Sequence, residues 1–240
     1  MKTILKVLGS VLLLIIVVCV LVLIQQVEPE QVEPSIEAYD FPDTLENHQY
    51  SVDSLKLVVG TNKGLPKGFE TQALLAYSAY PELKDVAVDM VLTQSGAPME
   101  SNFDFLTLLG SRSGRKYRVL LNNAPDTEFD EILLRSLPFD AQVGILAHEL
   151  GHVVYYDQLT TLEIAKWGVR YLLDEDFRSK HEKSTDMMPV YHGLGSQIYQ
   201  YAYHVRHDPS CAALYQKFGK EFIDKFYMTD IELRQALRNR

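Results

Sequence analysis

Residues 139–152 read FDAQVGILAHELGH, and the order of residues in this stretch dictates a helix carrying chemistry. Asp140 can cap a helix whose apolar positions Val143, Leu146, Ala147 and Leu150 fall on one inward stripe. His148 and His152 lie four residues apart on it, about 400° of turn, so both imidazoles project from nearly one face. Side chains placed in this way can meet one ion at about 2.0–2.1 Å, the nitrogen–zinc distance. Glu149 is about 100° further round, off the coordination bonds yet near enough to take a proton from a water that the metal acidifies. Gly151 leaves room beside the histidines for another backbone or a ligand.

The helix sits in the second half of a 240-residue chain, long enough for one compact domain with appendages. A hydrophobic fraction of 47% and an aromatic fraction of 10% support a packed core. Lys and Arg number 23 against 32 Asp and Glu, a net charge of −9, which speaks against the basic surface that generic nucleic-acid binding requires. No nucleic-acid partner is therefore expected. Cys19 and Cys211 make no disulfide framework, since the first lies in an apolar run and the second far outside it.

That apolar run, Val7 to Ile24, is broken only by Gly9 and Ser10 and reads as a transmembrane helix. No small-x-small cleavage site follows it, as a secretory signal would require. Lys2 and Lys6 precede it and no Lys or Arg follows until Lys56, so the N-terminus is expected in the cytoplasm and the rest of the chain outside. The lipid bilayer is thus an expected partner through residues 7–24, in a single-pass arrangement. Residues 25–46 hold seven acids, three prolines and no Lys or Arg, and read as an acidic linker able to reach roughly 60 Å. Residues 47–240 form the remaining domain.

Within that domain, Leu55–Gly60 and Val86–Thr93 (VAVDMVLT) carry strand composition, separated by a helical pattern over about 67–80. Lys116–Asn122 (KYRVLLN) is a third strand candidate between turn-formers Ser113-Gly114 and Asn122-Asn123. Helical patterns then occupy 140–157, 160–173, 174–188 and 193–207, with at least one more near the C-terminus. Strands first and helices afterwards predict an α+β fold with a small N-terminal sheet and a mainly helical remainder.

A catalytic metal of this kind needs a third protein ligand and an open position. The long pattern in which Gly and His follow the first pair fails, because Tyr155 and Gln158 stand in those places. Glu182-Lys183-Ser184-Thr185-Asp186 offers an ExxxD on a later helix, with Glu182 as ligand and Asp186, one turn on, orienting a ligating histidine. His181 and Asp186 are alternative third ligands.

With HExxH followed by such a glutamate on a separate helix, the sequence resembles the gluzincin metallopeptidases. FDAQVGILAHELGH after the strand KYRVLLN looks most like the membrane-associated M48-type peptidases, a likeness covering about residues 116–186. It implies a zincin-like catalytic part, Zn²⁺ as the metal, a peptide or protein substrate, and hydrolysis with Glu149 as general base. It also implies that the strand before the motif helix, Lys116–Asn122, has a free edge for an extended substrate. Stabilising the transition state requires a donor, for which His192 and Tyr199 are the leading candidates, beside Tyr191, Tyr203, His204 and Arg206. The competing reading is a membrane-tethered binding or scaffold protein that keeps a zinc site without proteolytic activity. Glu149 argues against it, since a purely structural site has no use for a base.

Overall fold

The computed structural model of the protein describes residues 44–46 and 48–239. The span expected over 7–24 lies outside them, as does the linker up to residue 43. Among the described residues no helix is long and apolar enough to cross a membrane. Leu45, placed in the linker by sequence, is fully buried and its N–H donates to Asp140 Oδ1 at 2.7 Å. Packing of the domain therefore begins before residue 47.

The fold is α+β, a four-stranded sheet followed by a mostly helical part. Helix α1 (Val52–Val59) leads to strand β1 (Lys63–Gly64), helix α2 (Glu70–Ser78), and strands β2 (Ala87–Thr93), β3 (Met99–Phe103) and β4 (Lys116–Asn122). The sheet order is β1-β2-β4-β3, with β1, β2 and β4 mutually parallel and β3 antiparallel to β4. The β2–β4 register runs from Ala87 opposite Lys116 to Thr93 opposite Asn122. Along β4, exposed Lys116 and Arg118 alternate with buried Tyr117 and Val119, the period of two that separates the faces of a strand. Burial of each large apolar side chain on the inner face contributes about 1.5–3 kcal/mol.

Two expectations about strands are corrected here. Leu55–Gly60 is not a strand but most of α1, because Ser51 caps that helix by accepting from Ser54 N–H, and its Leu57 and Val58 face solvent instead of a sheet. Lys116–Asn122 is a strand as expected, but it has no free edge, since β2 covers one side and β3 the other. The edge beside the motif helix belongs to β3.

The long helix α3 (Phe139–Gln158) carries the motif and is buried from Asp140 to Tyr156. A helix buried all round is a central rod with neighbours on every side. Residues of β2, β4 and α2 share one core with Val143, Leu146, Ala147 and Leu150. Around it follow α4 (Thr161–Leu173), α5 (Glu175–Tyr191), α6 (Gly195–His207), α7 (Ala212–Phe218), a π-turn over Gly219–Ile223, a short α8 (Asp224–Phe226) and α9 (Asp230–Arg238). The start of α3 differs from expectation. Pro138 occupies the capping position, and the Asp140 carboxylate instead accepts from the N–H groups of Leu45 and Glu46 and from Gln197 Nε2. It ties the beginning of the domain and α6 to the first turn of α3.

Two glycines let helices approach α3 closely. A Cβ at Gly144 would lie 2.3 Å from the Gln197 carbonyl oxygen on α6, and one at Gly151 would lie 3.0 Å from Met188 Cβ on α5. The space expected at Gly151 is thus taken by another helix, the one that bears Glu182.

Candidate metal centre

Close approach of α5 at Gly151 brings Glu182 opposite the two histidines. His148 Nε2 lies 3.4 Å from Glu182 Oε2, and His152 Nε2 lies 3.5 Å from the same oxygen. Ligands held at about 2.0–2.1 Å around a tetrahedral ion are separated by about 3.3–3.4 Å, so these donor atoms fit around one ion. All three residues are buried, and the cluster can hold a metal.

Each of the three side chains is held from behind. His148 Nδ1 faces Asp186 Oδ1 at 2.8 Å, and the other oxygen of Asp186 accepts the Met228 N–H at 2.7 Å. With the Nδ1 proton given to that carboxylate, Nε2 keeps its lone pair for a metal. Asp186 thus lies behind His148, one turn after Glu182, where it can orient that imidazole. His181, named as an alternative ligand, lies behind the site, where its Nε2 faces His152 Nδ1 at 3.2 Å. Burial first, and then the neighbouring His152, push the His181 pKa down to about 3. A neutral imidazole can accept the His152 Nδ1 proton and so turn that histidine's Nε2 toward Glu182. The rings of Tyr155 and Trp167 flank His181 at 4.7 and 5.3 Å. Glu182 Oε1 accepts a hydrogen bond of 2.5 Å from the Tyr171 hydroxyl, leaving Oε2 for the centre.

The charges favour a cation. Burial opposes charge on His148, but hydrogen bonds and charges from Asp186 and Glu182 outweigh it and hold its pKa well above the usual histidine value. Burial likewise opposes charge on Glu182, yet His152 and His148 hold its carboxyl well below the usual range. A divalent ion held there would supply the positive charge in place of those protons.

Glu149 stands outside the trio. Its Oε2 accepts from Ser101 Oγ at 2.7 Å, and the same hydroxyl lies 2.8 Å from the Glu149 carbonyl oxygen. Ser101 belongs to edge strand β3, so this contact joins the motif helix to the strand alongside the site. Both line a cavity of about 670 Å³ that reaches from β3 across the histidines to apolar residues of α6 and α7, among them Ile198, Val205 and Leu214.

The two residues expected from sequence as donors lie elsewhere. His192 stacks on Tyr80 at 4.2 Å, with its ring nitrogens 2.8 Å from the Met188 carbonyl oxygen and from Glu82 Oε1. Tyr199 is bonded to Arg234. Neither lines the cavity, whereas Tyr201, Arg206 and Tyr227 do. The Tyr227 ring centroid is 6.1 Å from that of His148. Burial, followed by the charge of Glu182, raises the Tyr227 pKa well above that of free tyrosine, so its hydroxyl keeps its proton and can donate. Sequence reading missed Ser101 and Tyr227, and no local pattern marks either of them.

No family model, curated protein or solved structure matches the chain. The geometry defines the site as a buried His-His-Glu cluster that could hold a metal ion, with a carboxylate beside it at a cavity.

Proposed function

We propose that this chain is a zinc-dependent peptidase of the gluzincin type, tethered to a membrane through residues 7–24, with the domain on the outer face. The reading is carried by one observation. The His148, His152 and Glu182 donor atoms converge, while Glu149 stays out of that set and lines the cavity. Two imidazoles and a carboxylate are a donor set zinc takes with a position left open. When bound, zinc supplies Lewis acidity and acidifies water toward a pKa of about 7.

The chain's own groups account for the remaining steps. Glu149 accepts the proton of the attacking water and passes it to the leaving amine, the use of a carboxylate beside such a centre. Tyr227, protonated at the cavity wall, can donate to the oxygen on which charge develops. The outer edge of β3 can add an extended peptide as a further strand, with main-chain hydrogen bonds holding it across the cavity.

The test separates ligands from base. Purified His148→Ala, His152→Ala and Glu182→Ala proteins are expected to lose zinc, measured by elemental analysis. Glu149→Gln is expected to keep it and lose peptide cleavage. Full zinc in Glu182→Ala would overturn the ligand set, and cleavage by Glu149→Gln would overturn the mechanism. A zinc-loaded parent that cleaves no peptide library would favour the scaffold reading.

A further inference from the structure

We propose that the domain rests on a lipid bilayer through an apolar rim at the mouth of the metal-site cavity, built from the loop after β3 and from helix α4. Twelve large apolar side chains are exposed among the described residues, and six of them lie on these two segments. They are Phe105, Leu106 and Leu109 in the loop, and Leu162, Leu172 and Leu173 on α4, with exposures from 59% to 82%. Apolar side chains standing this far into water, gathered on two segments, mark an interaction surface.

The two segments form one continuous rim. Thr161 Oγ1 donates to the Leu108 carbonyl at 2.7 Å and Arg115 Nη1 to the Leu159 carbonyl at 2.6 Å, fixing the loop to the start of α4. Ring contacts run from Phe105 to Phe103 (5.0 Å), Tyr156 (5.7 Å), Trp167 (4.8 Å) and Tyr171 (4.9 Å). Phe103, Tyr156, Trp167, Tyr171 and Leu172 line the cavity itself. Leu172 belongs to both the rim and the cavity wall, and Phe105 packs on cavity-lining Phe103, so the rim adjoins the cavity.

Lipid is the occupant favoured by the rest of the chain. The proposal rests on reading residues 7–24 as a membrane span, and is independent of the metal chemistry. A domain tethered to a bilayer is held at high effective concentration against it. Each exposed leucine moved out of water removes apolar area from solvent, so a few suffice to hold a tethered domain down. The geometry permits it. The described chain enters the domain at Leu45, bonded to Asp140 in the first turn of α3, whereas the rim is fixed at Leu159 and Thr161, just beyond the last turn. The 20 residues of α3 separate those points by about 30 Å, and residues 25–43 can reach roughly 60 Å. A cavity mouth held at the lipid surface selects chain segments lying at that surface.

The test uses the full chain reconstituted in phosphatidylcholine–phosphatidylglycerol vesicles. Cysteines placed at Leu106→Cys, Leu173→Cys or, as a control, Ile231→Cys would carry an environment-sensitive fluorophore. The background is Cys19→Ser, with Cys211 fully buried and the labelling of that background measured alone. Ile231 is 73% exposed and lies on α9, away from the rim. The expected result is blue-shifted emission at 106 and 173, quenched by doxyl-labelled lipid, with neither effect at 231. Emission at 106 and 173 matching that at 231 would overturn the proposal. So would a blue shift without lipid quenching, which would indicate a protein partner or a second copy, and so would a chain that does not float with vesicles. None of these readouts involves zinc or turnover, so the peptidase reading stands or falls separately.

Discussion

Asp186 and His181 back the two imidazoles with different chemistry, a carboxylate behind His148 and a neutral imidazole behind His152. Asp186→Asn keeps the shape and loses the charge, so zinc affinity is expected to fall by about 10–100-fold, the usual cost of weakening such a partner. His181→Ala removes the acceptor behind His152, and His181→Gln restores one. Zinc titration of the three proteins should rank Gln above Ala, whereas equal affinities would mean that His181 only fills space. Tyr227→Phe removes a single hydroxyl from the cavity wall, and kcat is expected to drop about 10²–10³-fold with zinc content unchanged. An unchanged kcat would remove Tyr227 from the chemistry. The contrast with Tyr199 is instructive. Spacing along one helix fixes His148, Glu149 and His152 relative to one another, and likewise Glu182 and Asp186, so both sets were legible in sequence. Which tyrosine faces the cavity depends on how α6, α8 and the segment after it fold back, and no local period carries that information.

At the level of elements, the packing of α5 and α6 on α3 decides whether the ligands meet. Gly144 is the tightest point, where an added Cβ would sit 2.3 Å from the Gln197 carbonyl oxygen and 2.6 Å from the Ile198 nitrogen. Backbone on a buried helix cannot yield as a flexible side chain can, so Gly144→Ala is expected to destabilise the protein by about 1–3 kcal/mol, as overpacking does. A shift in denaturant midpoint at constant slope measures it, and a loss below about 0.5 kcal/mol would contradict the crossing described here. The helices from α3 to α6 were legible because their apolar spacing is long and regular, whereas the short α7 and α8 carry no such period. The sheet was legible only in part. β2 and β4 alternate strongly, but β3 reads MESNF, short and polar as suits an edge with one side unpaired. The resemblance places a free edge at Lys116–Asn122, but β3 pairs with that side of β4 and is itself the edge. The valines and leucines of α1 carry strand composition, and the Ser51 cap outweighs it.

Over the whole molecule, the centre joins parts that are distant in sequence. Its candidate ligands come from α3 and α5, Tyr171 of α4 holds Glu182, and the Met228 amide beyond α8 holds Asp186. Unfolding separates all of these, so a metal bound there has affinity for the folded chain and little for the unfolded one. Such a ligand stabilises by an amount set by its concentration relative to Kd, about 4 kcal/mol at a thousandfold excess. For a domain of this size each 1 kcal/mol moves Tm by about 2–4 °C, so removing the metal with a chelator is expected to lower Tm by about 8–16 °C. Scanning calorimetry of the detergent-solubilised chain, with and without chelator, measures the drop. Glu182→Ala supplies the control, because it melts lower on its own account but should show no further response to chelator. Glu149→Gln should respond like the parent, since its carboxylate accepts from Ser101 outside the donor set. A chelator response retained in Glu182→Ala would place the ion elsewhere in the fold. No response in the parent, with metal shown by elemental analysis to have been removed, would mean that the ligands are already held in place without it.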